Sequence, residues 1–361
     1  MRVLVWQWGR RGGAPRFAVE LAAGFRMLPD TEPLLSLSSS TEILRGRDAP
    51  HCDLPVETYQ SLPGYLWRLV QAPWIVHALA RRIATLRPDM AIAAHPGPFD
   101  LVMLAALRRN HVPVVVVVHD ADPHPGDGMP MRLWLQRKLI RRAHAVVALT
   151  EHVATRLREQ GAVSNDRLII LSHPPFTFDD MPSPRAHSGP VRLLFFGRLL
   201  AYKGLDLLAD AIAQLRARNA WELRVVGSGP EAPELDKLRA IVGVTVENRW
   251  VPEDEIGKLI AWADVVLLPY REASQSGVGP AAIGAGRSVV GTKVGGLIEQ
   301  LQHAPQATLS EPDAASFAAA LSDIIDGSHD IRPCGISADP RHAWRDMAQE
   351  ILDHVLSLST A

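Results

Sequence analysis

Arg198 and Lys203 stand five positions apart, just after an apolar run that breaks at Gly197. Two fixed cations at this separation suit a diphosphate, whose charge they can meet without a metal ion. The run Val191 to Phe196 has the pattern of a buried strand, and after Gly204 the apolar residues Leu205, Leu208, Ile212 and Leu215 follow helical spacing. The cations therefore fall in a strand-to-helix loop above the carboxyl end of a parallel sheet, where open α/β sheets take their ligands. Ordinary surface charges beside a turn are the competing explanation, and other loops must decide between the two.

A second loop, Pro269 to Pro280, follows the strand-like run Val265 to Leu268. Pro280 suits the first turn of a helix, which sets Gln275, Ser276, Gly277 and Val278 at or just before a helix amino terminus. Backbone N–H groups and the helix dipole favour an anion there. Glu272, in the same loop, has the wrong sign for phosphate and is available for sugar hydroxyls. If the two strands share a sheet, the two loops face each other. Val226-Gly227-Ser228-Gly229-Pro230 and Val294-Gly295-Gly296 also end strands. Each is either a plain turn or part of a common floor under a ligand.

In the first half, Gln7 to Gly13 joins a strand to a helix, and Gly12 and Gly13 would let the backbone approach a ligand closely. Arg10, Arg11 and Arg16 add positive charge. The spacing is not Gly-x-Gly-x-x-Gly, so an NAD site is not expected. Five valines, Val114 to Val118, read as a strand buried on both faces, which puts His119 at the carboxyl edge of its sheet. That histidine either faces a ligand or is satisfied by a loop carbonyl. His124 and its aspartates resemble loop formers more than metal ligands, and no metal is expected. The segments Leu62 to Ile83 and Met131 to Arg142 combine tryptophans with arginines at helical spacing. Such helices either cover a sheet or lie on an anionic membrane.

These loops need elements to hold them. Strands are expected at Arg2 to Trp6, Leu34 to Leu37, Met90 to Ala94, Val114 to Val118, Ala145 to Leu149 and Leu168 to Leu171. A second series is expected at Val191 to Phe196, Leu223 to Val226, Val244 to Glu247, Val265 to Leu268 and Ser288 to Gly291. Helical patterns alternate with them, as in parallel sheets covered by helices. A chain of 361 residues exceeds one core's usual size. The expected architecture is α/β: two doubly wound Rossmann-like domains facing a cleft. A first domain spans 1–173, a proline-rich linker 174–190 and a second domain 191–337. The helix at 338–361 has Trp344, Met347, Ile351 and Val355 on one face and is expected to pack back on the first domain.

Residues 1–172 carry 21 Lys and Arg against 15 Asp and Glu, and the remainder carries 17 against 24. The first half is thus suited to an anionic surface, at a density too low for nucleic acid. Cys52 and Cys334 form no metal or redox spacing, which favours a reducing cytoplasm. No apolar run approaches the roughly 18 residues of a membrane span.

Taken together, these motifs resemble a retaining glycosyltransferase of the GT-B fold, most similar to the large bacterial family 4. The resemblance is dense from Val191 to Glu299 and rests on Gly197-Arg198-Leu199 with Lys203-Gly204, Val226 to Pro230, Ala263-Asp264, Gly286-Arg287-Ser288-Val289 and Val294 to Gly296. It is looser in the first half, on Gly12-Gly13 and His119-Asp120. It implies an acceptor-binding first domain and a donor-binding second domain. The expected reaction moves a sugar from a UDP- or GDP-sugar to a glycan or lipid-linked acceptor hydroxyl, with no cofactor beyond the donor, in the cytoplasm or peripherally on the membrane's inner face.

In that scheme Arg198 and Lys203 neutralise the departing diphosphate, helped by amides near Ser276 to Val278, with Gly197 and Gly227 in the donor-binding floor. Glu272 binds donor sugar hydroxyls, His119 sits on the reacting sugar's other side, and Gly12 and Gly13 let the first domain close over the diphosphate. One departure stands out: many members carry two glutamates eight positions apart, and Ala281 takes the place of the second, which holds the ribose. Glu272 lies nine positions before it. A sugar-nucleotide epimerase of similar shape and a catalytically degenerate binding subunit are the alternatives.

Overall fold

The computed structural model describes all residues except 47, 124–129, 177, 179–188, 216–219, 328–338 and 361. The chain divides into two compact units. One takes Met1–Pro123, Met129–Pro174 and Arg341–Ala361, and Pro175–Pro340 makes up most of the other. Much of the stretch expected as a linker, and the loop residue His124, lie outside the described residues.

The first unit runs β1 (Arg2–Gln7), α1 (Gly13–Arg26), β2 (Glu32–Leu37), α2 (Leu62–Leu86), β3 (Met90–Ala93), α3 (Asp100–Arg109), β4 (Val114–Val118), α4 (Pro130–Arg142), β5 (Ala145–Ala148), α5 (Glu151–Glu159) and β6 (Leu168–Ile170). All its strands pair in parallel, in the order β2-β1-β3-β4-β5-β6. The valines of β4 are all buried, as a central strand with helices on both faces requires.

The second unit runs β7 (Val191–Phe196), α6 (Leu205–Gln214), β8 (Trp221–Gly227), α7 (Pro233–Arg239), β9 (Val244–Asn248), α8 (Glu253–Trp262), β10 (Val265–Leu268), α9 (Val278–Gly284), β11 (Ser288–Thr292), α10 (Gly295–Leu301), β12 (Ala307–Ser310) and α11 (Ala314–Ile325). Its sheet is also parallel, in the order β12-β11-β10-β7-β8-β9. Strand β12 was not among the expected strands. Its four residues, Ala-Thr-Leu-Ser, lie at a sheet edge and are mostly half-buried, so they show no apolar run.

The last helix, α12 (Pro340–Thr360), belongs to the first unit, and Trp344, Met347, Ile351 and Val355 are buried there. It meets α1 at Gly24, where an added Cβ would lie 2.3 Å from the Trp344 carbonyl oxygen. Only a residue without a side chain lets the two backbones come this close. The Trp344 ring packs edge-on against Phe17 of α1, with centroids 4.9 Å apart.

Candidate active site

Strand β7 is the first of its unit, and the sheet grows from it in both directions. β7 and β10 are hydrogen-bonded neighbours, with Val266 opposite Leu194. Phe196 and Leu268 therefore end level, and the loops that follow them leave the sheet side by side at the topological switch point, where doubly wound sheets open a crevice.

The first loop passes through Gly197 at φ 140° and a short 3₁₀ turn, Ala201–Lys203, and ends at Gly204 in the left-handed region at φ 72°. An added Cβ on Gly204 would lie 1.7 Å from the carbonyl oxygen of Pro269, in the second loop. The Arg271 N–H donates to the Tyr202 carbonyl at 2.8 Å, and the Arg271 side chain pairs with Asp206 of α6. The two loops are thus packed backbone on backbone.

On the other side, an added Cβ on Gly227 would lie 1.7 Å from the Gly197 carbonyl oxygen, and one on Gly229 would lie 2.1 Å from that of Leu199. The missing side chain of Gly227 makes room for the neighbouring loop's backbone.

Both cations rest on tyrosines. The Lys203 ammonium lies 3.6 Å from the centroid of the Tyr270 ring and 5.0 Å from that of Tyr202, and among the described residues no carboxylate pairs with it. Arg198 donates to the Tyr202 hydroxyl, and its guanidinium lies 5.5 Å from that ring's centroid. Both tyrosines are buried. Cation–π attraction holds a lysine in place without neutralising it, so its charge remains available to an anion. Neither tyrosine is marked for this role by its sequence neighbours, although Tyr202 sits beside Lys203 and Tyr270 lies two residues after the strand.

The second loop is clamped by Gln300 of α10. The Ser276 N–H donates to Gln300 Oε1 at 2.7 Å, and Gln300 Nε2 donates back to the Ser276 carbonyl at 3.2 Å. Ser276 Oγ accepts the Gly279 N–H at 3.3 Å. The Ser276 amide is therefore committed to Gln300, which removes it from the set of amides expected to meet an anion. The N–H groups of Gly277 and Val278 have no acceptor among the described residues. Gln275 Oε1 is buried without a hydrogen-bond partner, and Glu272 is exposed in the same loop. Nothing in the sequence pointed to Gln300, because its role depends on where α10 starts. Ala281 is buried and packs with Ile260 and Ala285, so the position aligned with a second glutamate belongs here to an apolar cluster.

In the first unit, Gly12 caps α1 at φ 81°, ψ −170°, a conformation that glycine adopts readily, and Gly13 is exposed. Arg16 pairs with Glu20 at 3.2 Å. His119 is 5% exposed, with Nε2 2.9 Å from the Ala94 carbonyl, so the loop-carbonyl alternative holds at that nitrogen. Its ring packs 4.4 Å from His95, 4.8 Å from Phe17 and 6.2 Å from His173. Trp344 of α12 closes the cluster against Phe17 and His173.

Burial, and then the nearby charge of His119, push His173 down to about 3. Burial pushes Asp100, at the start of α3, up to about 7 against the pull of the Gly97 N–H. Asp100 holds its proton more tightly folded than unfolded, so its contribution to stability is complete below about pH 4 and lost as pH rises through about 7. His173 holds its proton less tightly folded, so its contribution is complete above about pH 6.5 and falls as pH drops towards 3. Between about pH 4 and 6.5 the two oppose each other. Asp100→Asn is expected to leave stability rising with pH across that window, and His173→Phe to leave it falling. Thermal melts of both variants across the window check this, and slopes equal to the parent's would refute it.

The model for glycosyl transferases group 1 matches residues 190–327, the unit that carries Arg198, Lys203 and Glu272, and the model for glycosyltransferase family 4 matches residues 11–174. The chain belongs to the group 1 glycosyltransferases. This transferase is 28% identical over 307 residues to a D-inositol 3-phosphate glycosyltransferase of Jonesia denitrificans, covering 72% of each chain. It is 27% identical to a 2-deoxystreptamine glucosyltransferase of Streptomyces kanamyceticus, covering 80% of this chain and 81% of that one. Among solved structures it shares its fold with an Anabaena protein in complex with UDP and glucose, with a TM-score of 0.68 at 19% identity over 100% of this chain and 98% of that one. The two parallel sheets with flanking helices are the GT-B arrangement.

Proposed function

We propose that the transferase moves a sugar from a uridine or guanosine diphosphate sugar to an acceptor hydroxyl, with retention at the anomeric carbon and no metal ion. The observation that carries this is Lys203, an ammonium with no carboxylate partner among the described residues, stacked on Tyr270 beside Arg198 at the switch point. Negative charge grows on the diphosphate as it departs, and fixed cations and amides aimed at it lower the barrier. Arg198, Lys203 and the N–H groups of Gly277 and Val278 take that role, and Glu272 binds hydroxyls of the donor sugar. By family resemblance His119 is assigned to the reacting sugar, and Gly12 and Gly13 to the diphosphate. The Anabaena protein's complex with UDP and glucose supports a uridine donor.

The Jonesia and Streptomyces relatives are named for small polar acceptors. The basic, tryptophan-bearing helices of the first unit support a lipid-linked or envelope-polysaccharide acceptor instead, which would hold the enzyme peripherally on the inner face of the membrane. Thermal shift with UDP, GDP and their sugars tests the donor. A ligand at 100 times its dissociation constant stabilises by about 2.7 kcal/mol, and one uridine or guanosine compound is expected to do so with EDTA present. No shift with any of them would overturn the donor assignment, and a shift that needs a divalent cation would overturn the metal-free mechanism.

A further inference from the structure

We infer that the outer face of α2 is a docking surface for an anionic phospholipid bilayer. Helix α2 runs for 25 residues, and its first half leaves Leu62, Leu66, Trp67, Leu69, Val70 and Trp74 exposed. The two tryptophans are 62% and 72% exposed. At 100° per residue these six side chains fall on one arc of roughly 160°, over about 18 Å of helix. A contiguous apolar stripe of this size marks an interaction surface, whereas singly scattered apolar residues do not.

Charge selects the occupant. Helices α2, α3 and α4 cross the sheet in one direction and pack in that order on one face. Each carries exposed arginines in its second half, Arg81 and Arg82 on α2, and α3 and α4 end in theirs, Arg108 and Arg109, Arg141 and Arg142. The sole acidic residue in these three helices is Asp100, which is buried. On α4, Trp134 is exposed, and the Lys138 ammonium lies 3.6 Å from its ring centroid. An apolar stripe bordered by cations, with tryptophans at its outer edge, is the composition of a helix lying in the headgroup layer of an anionic membrane. A second copy of this chain fits worse, because it would set these arginines against one another. Among the described residues no helix is long and apolar enough to cross a membrane, so contact through this face is peripheral.

This surface serves the membrane-bound acceptor proposed above, but it is tested without donor or acceptor, so failure of one leaves the other standing. The full chain is centrifuged with phosphatidylcholine vesicles and with phosphatidylcholine vesicles containing phosphatidylglycerol. Binding is expected to the anionic vesicles, to weaken with salt, and to fall about tenfold for each of Trp67→Ser and Trp74→Ser. Arg81→Gln with Arg82→Gln is expected to cost roughly fivefold per residue on anionic vesicles alone. All four side chains are exposed, so unchanged thermal melts show that the fold is intact. Absence of binding, or binding unchanged in the tryptophan variants, overturns the inference. So does a dimer in light scattering that the tryptophan variants dissociate without any lipid binding.

Discussion

Lys203→Ala is expected to lower kcat for sugar transfer by about a hundred- to a thousandfold, with little change in folding stability. The ammonium lies over two buried tyrosine rings and has no carboxylate partner among the described residues, so its removal strips charge from the site without stranding an opposite charge. Its attraction for the diphosphate strengthens as the glycosidic bond breaks and negative charge grows on the leaving group. The loss should therefore appear more in kcat than in KM. Arg198→Ala is expected to behave similarly. Because both cations act on the same developing charge, the double variant should lose less than the two single losses combined. Steady-state turnover of a nucleotide sugar with melting curves alongside measures all of this. Turnover unchanged in Lys203→Ala would remove the diphosphate assignment.

Gly204→Ala is expected to destabilise the second unit by about 3–5 kcal/mol and to abolish donor binding. Two independent costs combine here. The left-handed backbone at φ 72° costs a side-chain-bearing residue about 1 kcal/mol. The new Cβ would also lie 1.7 Å from the carbonyl oxygen of Pro269, so the two site loops must move apart by more than a contact's tolerance. Gly161→Ala separates the terms: its φ is 58° and an added Cβ meets nothing within 4 Å. That variant should show the backbone cost alone. Guanidinium titration of both proteins makes the comparison, and equal losses would mean that the loops yield freely and that their packing does not hold the site.

Much of this molecule is legible in the chain because parallel sheets write a coarse signal. Val114 to Val118 is an apolar run of strand length and Val191 to Phe196 one interrupted by Arg192 alone, and both are strands over those residues. The loops that follow them were readable for the same reason, since a ligand loop in such a sheet begins where the apolar run stops. Trp344, Met347, Ile351 and Val355 announced a buried face by their helical spacing, although only the structure identifies Gly24 as the point where that helix crosses α1.

What stayed hidden involves pairs distant in sequence. Gly227 has the composition of a phosphate loop, yet its missing side chain accommodates the Gly197 carbonyl. Ser276 sits just ahead of a helix amino terminus, yet its amide is taken by Gln300, 24 residues on. Tyr270 supports Lys203 only because β7 and β10 are neighbours, and strand order leaves no trace in local composition. The amino-acid sequence alone determined the parallel α/β class, the positions of the cation-bearing loops and the apolar faces, because hydrophobic periodicity and turn residues act locally. Tertiary structure decided which amides and charges remain available to a ligand, because a polar group's availability depends on whichever distant group the fold brings against it.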